Sequence, residues 1–258
     1  MMEKSPFSLE GKVAIVTGGN GGIGKGIAEG FAAAGSDVVV VARNQQKIQE
    51  TVLEIERHFK TRVLGLSCDV SKEEEIQTMM QKVHDTFGKI NILVNNAGMN
   101  IRKMPQDYNA EEWDRVLDTN LRGPFLCCHA AYPFMKEAES GKIINIGSMT
   151  SIFGGAKLAA YGASKGGIVQ LTKSLATAWA QDNIQVNAIL PGWIDTDLTR
   201  QARKDIEGLH ERVLDRTPSG RWGVPADLAG TAVFLSSAAS DFVTGTAIPV
   251  DGGFSAFL

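Results

Sequence analysis

The sequence predicts an α/β protein, a single-domain doubly wound parallel sheet of Rossmann type with helices on both faces. Three observations carry this expectation. Short β-branched runs alternate with longer stretches whose apolar residues recur every third or fourth position. The strand-like runs are unbroken in their hydrophobicity, as strands covered on both faces must be. A glycine cluster at residues 18–24 separates the first strand-like run from the first helical one. At 258 residues the chain is long for one domain, but repeated βα units extend one sheet without starting a second core, so residues 1–258 are expected to form one unit.

The elements follow in order. Residues 12–17 (Lys-Val-Ala-Ile-Val-Thr) form the first strand, and after the glycines Ile27, Phe31 and Ala34 fall at helical spacing. Strand 38–41 leads to helix 45–59, strand 62–68 to helix 73–87, and strand 90–94 to a long helix running from 110 past 126. Then come strand 142–146, helix 161–181, strand 184–190, helix 225–237 and a last short strand at 247–250. Residues 193–218 break the rhythm. Polar and rich in Arg and Asp, they read as a lid over a substrate or as a plain surface excursion. There is no internal repeat, low-complexity tract or proline-rich linker.

Composition narrows the function. Hydrophobic residues make up 43% and charged residues 21%, which suffices for a globular core. The net charge of −3 comes from interspersed cations and anions, unlike the basic stripe that binds phosphate backbones, so no nucleic-acid partner is expected. Cys68 and the adjacent pair Cys127 and Cys128 fit neither a disulfide framework nor a zinc clip and point to the cytoplasm. No apolar run approaches the ~20 residues of a membrane span, so no membrane association is expected. His58, His84, His129 and His210 are scattered without ligand spacing, and no catalytic metal is expected.

Gly19-Asn-Gly21-Gly-Ile-Gly24 satisfies G-x-G-x-x-G after a strand and at the start of a helix, where glycines let a backbone approach a pyrophosphate. It also nearly reads as a phosphate-binding P-loop, but Gly26 stands where that motif needs Ser or Thr for magnesium. Tyr161 and Lys165 share a helix face at i, i+4. An ammonium one turn away favours the phenolate and makes tyrosine usable as a general acid/base near neutral pH. Ser148 can donate to the substrate oxygen that exchanges its proton with Tyr161.

Read as Thr17-Gly18-x-x-x-Gly22-Ile23-Gly24, and taken with Asn95-Asn96-Ala97-Gly98 and Tyr161-x-x-x-Lys165, the chain resembles the short-chain dehydrogenase/reductase family. The resemblance runs nearly end to end, through Asp69-Val70, Asn120, Ser148, Pro191-Gly192 and the closing Val250-Asp251-Gly252-Gly253. It implies hydride transfer between NAD(P) and a secondary alcohol or its ketone. It further implies Asn120, Ser148, Tyr161 and Lys165 as catalytic residues, with Asn120 holding a water that links Lys165 to solvent. For the cofactor it implies Gly18, Asn20, Gly22, Ile23 and Gly24 at the glycine turn, Asp69 and Val70 at the adenine, and Asn96, Ala97 and Gly98 beside the adenosine ribose. It implies Pro191 and Gly192 as cofactor-binding, Ile194 and Thr196 at the carboxamide, and Tyr161 and Lys165 as also meeting the cofactor. Asp69 is equally readable as a strand-end cap and Thr196 as a helix-start cap. Family members commonly form homotetramers, and Leu175, Trp179 and the ending 254–258 are candidate contacts.

Ala42 stands where NAD-specific relatives carry an acid, and Arg43, next to it, can clamp a 2′-phosphate. NADP is therefore favoured over NAD, although Asn20 stands where many NADP-preferring relatives have a second basic residue. Residues 98–103, 148–155 and 219–223 are similar to enzymes of sugar acids, such as gluconate or deoxygluconate dehydrogenases. Arg102 and Lys103 can pair with a substrate carboxylate or simply be solvated loop charges. Trp193 is a further candidate for substrate contact. Alternatives are a 3-oxoacyl thioester reductase with Arg200, Arg203 and Lys204 as its basic entrance, a dehydrogenase of neutral sugars or cyclic alcohols, and a non-catalytic dinucleotide-binding module. Asn91, where relatives often have Asp, reads as structural.

Overall fold

A computed structural model describes residues 5–257. The strands are β1 Val13–Thr17, β2 Asp37–Ala42, β3 Val63–Ser67, β4 Ile92–Asn95, β5 Gly141–Ile146, β6 Ile184–Pro191 and β7 Ala247–Val250. They form one parallel sheet in the order β3-β2-β1-β4-β5-β6-β7. The helices are α1 Gly22–Ala33, α2 Gln45–His58, α3 Glu73–Phe87, α4 Ala110–Leu117, α5 Gly123–Glu137, α6 Ala159–Trp179, α7 Asp197–Asp205, α8 Leu209–Arg216 and α9 Ala226–Ser236. No helix among the described residues is long and apolar enough to cross a membrane.

Alternate residues of each strand serve opposite faces. Val13 and Ile15, with Leu93 and Ile143, pack under α3, α5 and α6, while Ala14 and Val16, with Ile92, Val94 and Ile144, pack under α1, α2 and α9. Both faces are covered, which explains why the strand runs carry no polar alternation. The covering is tight at α1. A Cβ on Gly26 would stand 2.7 Å from the Pro225 backbone and one on Gly30 2.6 Å from the Ala229 methyl, so α1 and α9 meet through small residues.

Two expectations change. The long helix from residue 110 is interrupted by a π turn at Asp118–Arg122 between α4 and α5. A Cβ on Gly123 would lie 2.7 Å from the Val70 carbonyl, so this glycine lets α5 close on the loop after β3. Residues 193–218 hold two helices, α7 and α8, which periodicity did not reveal. At nine and eight residues each is short and largely charged, and Ala202, Leu209 and Val213 close with Trp222 into a small core of their own.

The strand order sets the chain's switch point. From β1 the chain winds outward through β2 and β3, and it then crosses back to β4 and winds the other way. Loops leaving β1 and β4 therefore diverge above the sheet and open the crevice in which such folds bind ligands.

Candidate active site

One hydroxyl joins the two diverging turns. Thr17 Oγ1 donates to the Val94 carbonyl (3.1 Å) and accepts from the backbone N–H of Asn96 (3.0 Å) and of Ala97 (3.1 Å). The Asn96 amide donates in turn to the carbonyls of Thr17 (2.9 Å) and Gly18 (3.2 Å). Gly18 sits at φ +64°, and its Cβ would come 2.7 Å from Asn96 Nδ2. Gly24 was expected to line the pyrophosphate site, but it is buried away from the crevice: its Cβ would be 2.3 Å from the Gly18 carbonyl. Its part is to bring α1 against the turn, so that Gly21 and Gly22 at the helix start border the crevice with the free N–H groups that attract an anion.

The four expected catalytic residues come together from the π turn, the turn after β5 and helix α6. Asn120 sits in the π turn, fully buried. Its Oδ1 accepts from the Met99 N–H (2.8 Å), and its Nδ2 donates to the Met99 carbonyl (2.8 Å) and to Ser164 Oγ (3.2 Å). The π turn supplies the extra residue that aims this side chain inward. Lys165 donates to the Ile146 carbonyl (2.7 Å). Gly98 lies between the two, since its Cβ would stand 3.3 Å from Asn120 Oδ1 and 3.8 Å from Lys165 Nζ. Ser148, just past β5, accepts from the Thr150 N–H (3.1 Å) and shares a hydrogen bond with the Tyr161 phenol. Ser151 ties this turn to α6 by donating to the Lys165 carbonyl (2.7 Å).

The electrostatics differ from the simple pair. Burial raises the Tyr161 phenol above its ordinary value, opposed by the Ser148 hydrogen bond and the charge of Arg102. Burial also pushes the Lys165 ammonium down to about 8. Lys165 was expected to draw the phenol down directly, but its Nζ lies 5.7 Å from the centre of the Tyr161 ring and points to Ile146.

Three adjoining cavities form one groove. The first, of about 490 Å³, is bordered by Gly18, Asn20, Gly22, Arg43, Asp69, Val70 and Ala97. The second, of about 210 Å³, is bordered by Ile23, Asn96, Gly98, Tyr161, Lys165, Pro191, Gly192, Ile194 and Thr196. The cap readings also describe real bonds. Asp69 accepts from the Ser71 N–H (3.0 Å) and hydroxyl (2.8 Å); burial alone would raise its carboxyl, but these bonds and the charges of Arg43 and Lys72 hold it below the usual range. Thr196 opens α7 by donating its N–H to Thr199 Oγ1 (2.9 Å). Lys25 turns away to Glu54 (2.6 Å) and Glu29 (3.7 Å). Lys47, one turn beyond Arg43 in α2, borders the same cavity and was missed, its only signal being the i+4 spacing. Glycines at a helix start, a fixed carboxylate and two cations suit a dinucleotide.

The third cavity, of about 500 Å³, lies beyond Ser148 and Tyr161 and is bordered by Arg102 and Trp193, the two candidates for substrate contact, and by Phe153, Leu158, Arg216 and Phe254, which sequence reading did not single out. Lys103 drops out as a carboxylate partner because it pairs with Glu112. Arg200 and Arg203 both engage Asp195, which offsets part of the charge of the basic entrance considered for a thioester carrier. Phe254, expected at a subunit contact, faces this cavity; Leu175 is buried in the core, Trp179 stacks on Tyr132 at 4.8 Å, and Leu258 lies outside the described residues. Asn91 is structural, its Oδ1 accepting from the Val13 N–H (3.0 Å). No group of three or more His, Cys, Asp or Glu suited to a metal ion occurs among the described residues.

Comparison with known proteins fits this geometry. Residues 18–255 match a family model described as enoyl-(acyl carrier protein) reductase. The chain is 44% identical over 253 residues to 2-dehydro-3-deoxy-D-gluconate 5-dehydrogenase of Escherichia coli (strain K12), covering 98% of each chain. It is 43% identical over 248 residues to the enzyme of the same name from Bacillus subtilis (strain 168), covering 96% of each. Among solved structures, a gluconate 5-dehydrogenase from Burkholderia cenocepacia J2315, in complex with NADP and tartrate, superposes with a TM-score of 0.93 at 35% identity over 98% of both chains.

Proposed function

The chain belongs to the short-chain dehydrogenase/reductase family, as an oxidoreductase acting on CH–OH groups, and on that premise we propose that it oxidises a hydroxyl of a gluconate-type sugar acid with NADP. The preferred substrate is 2-dehydro-3-deoxy-D-gluconate, oxidised at C5, in keeping with the relatives of that name. One observation carries the acidic class: the cavity beside Ser148 and Tyr161 presents two guanidinium groups, Arg102 and Arg216, with no carboxylate partner among the described residues. Tartrate, the ligand of the Burkholderia structure, is itself a hydroxy acid.

In the oxidative direction Ser148 donates a hydrogen bond to the substrate hydroxyl oxygen, and the base form of Tyr161 takes the hydroxyl proton. The nicotinamide supplies the hydride acceptor. Lys165, its ammonium destabilised by burial, can pass a proton on at mildly alkaline pH. Asn120 holds the Gly98–Met99 backbone beside it, where a bound water would complete the path to solvent. Gly18, Gly22 and Ile23 would border the pyrophosphate, Asp69 and Val70 the adenosine, and Ile194 and Thr196 the carboxamide. NADP is the preferred cofactor in this reading because Arg43 and Lys47 both border the cavity at the β2–α2 turn and would hold a 2′-phosphate there.

We further propose that residues 193–218 act as the substrate lid of a single 1–258 domain. A homotetramer is the assembly that fits, with exposed Trp113 on α4 and Phe125 on α5 as apolar surface to cover. Three free, buried cysteines suit a reducing cytoplasm. The test is absorbance at 340 nm with NADP and with NAD against 2-dehydro-3-deoxy-D-gluconate, gluconate, deoxygluconate, glucose and cyclic alcohols, and an acetoacetyl thioester in reverse. Turnover confined to sugar acids is the expected result. Turnover of the thioester or the cyclic alcohols alone would overturn the substrate and leave the reaction class.

A further inference from the structure

Arg216, the last residue of α8, carries more of the substrate problem than its exposed position suggests. Its guanidinium carbon lies 4.6 Å from the centre of the Phe254 ring and 5.7 Å from that of Phe153. These rings meet edge to face, 6.3 Å apart at 73°. All three side chains border the cavity that holds Ser148 and Tyr161. Stacking on aromatic faces leaves the rim of N–H donors free for a planar, two-oxygen acceptor. Nothing in the cavity takes that rim. Asp205 borders the same space but accepts its hydrogen bond from Gln201 (2.8 Å), and it makes no ion pair with Arg216.

Arg102 borders the same cavity, and its charge lowers the Tyr161 phenol. In a C5 oxidation the carboxylate is four carbon–carbon bonds from the reacting carbon. A cation whose charge acts on the phenol suits the reacting end, which leaves the guanidinium held against Phe254 and Phe153 for the carboxylate.

We propose that Arg216, steadied by Phe153 and Phe254, is the specificity-determining residue that receives the substrate carboxylate, and that Arg102 serves the reacting end. This rests on the sugar-acid reading above and moves its carboxylate contact from Arg102 to Arg216.

The experiment compares the parent with Arg216→Gln, Arg216→Lys and Arg102→Gln on the sugar acid that the parent oxidises fastest and on its uncharged amide. Arg216→Gln should raise KM for the acid at least about tenfold, leave kcat and the pH profile within about twofold of the parent, and leave the amide unaffected. Arg216→Lys should recover part of the loss. Melting temperature and NADPH fluorescence titration should stay at parental values in both Arg216 variants, which separates a lost contact from a lost fold; an Arg216 variant that folds and loses acid and amide equally would overturn the proposal. So would an unchanged KM, or a charge-selective KM effect confined to Arg102→Gln. A parent that oxidises no sugar acid, or oxidises amide and acid equally well, would sink the sugar-acid reading itself and this inference with it.

Discussion

At the β1–β4 end of the groove the walls are turns that leave adjacent strands, and they are bonded to one another through the Thr17 hydroxyl and the Asn96 amide. Beyond Ser148 the walls come from stretches far apart in the chain, around residues 102, 153, 193, 216 and 254, and they are held by side-chain contacts such as Trp193 edge to face with Trp222 and Arg216 over Phe254. The first half is built from backbone geometry that few residues satisfy. The second is built from side chains that substitution can exchange while the sheet stays intact. The difference teaches that the reaction belongs to the sheet and the substrate to the loops.

Tyr161 stands where the halves meet, and its removal should have the largest effect. Tyr161→Phe is expected to lower kcat by roughly a thousandfold while NADPH affinity stays within a few-fold; retention of a tenth of the activity would show that another group moves the proton. The glycine turn tests the first half alone. In Gly24→Ala the new methyl meets the Gly18 carbonyl, 2.3 Å from the ideal Cβ position, so NADPH affinity should fall on the order of a hundredfold, the scale of a few kcal/mol of overpacking. Trp193→Ala, in the second half, should leave NADPH titrations near parental values. Equal losses from both would erase the distinction between the halves.

Arg43→Ala is smaller in scale and sharper in meaning. Losing a guanidinium–phosphate contact should cut the NADP-over-NAD ratio of kcat/KM about tenfold, and an unmoved ratio would shift cofactor choice to Lys47. Arg102→Gln should be the mildest. Arg102 lowers the Tyr161 phenol, so its removal raises the phenol pKa, moves the acid limb of the oxidation profile to higher pH, and slows oxidation at pH 7 a few-fold. Reduction uses the protonated phenol and should not slow there. A downward move of the acid limb would mean that Arg102 does not act on Tyr161.

Legibility divides along the same line. The strands announced themselves because Val13 to Val16 and Val38 to Val41 are apolar on both faces, and the two-sided core explains why no alternation appears. The glycine turn and the Tyr161–Lys165 spacing are local, so sequence alone places them. Lys103 and Arg102 are neighbours in sequence, and only folding brings Glu112 to neutralise one of them. Spacing paired Lys165 with Tyr161, yet burial and the Ile146 carbonyl turn the ammonium to another partner. Arg216, Phe153 and Phe254 lie too far apart in the chain for any pattern to join them, and α7 and α8 are short and largely charged.

Residues 193–196 begin as a wall of one cavity and end as a wall of another: Trp193 borders the third, Ile194 and Thr196 the second. Trp193 packs on the small core of α7 and α8 while Ile194 packs in the main core, so one short stretch of chain ties the two cavity walls together. Occupancy of one cavity then bears on the shape of the other. Linkage makes the favour mutual: whatever factor of affinity the dinucleotide confers on the sugar acid, the sugar acid returns in full.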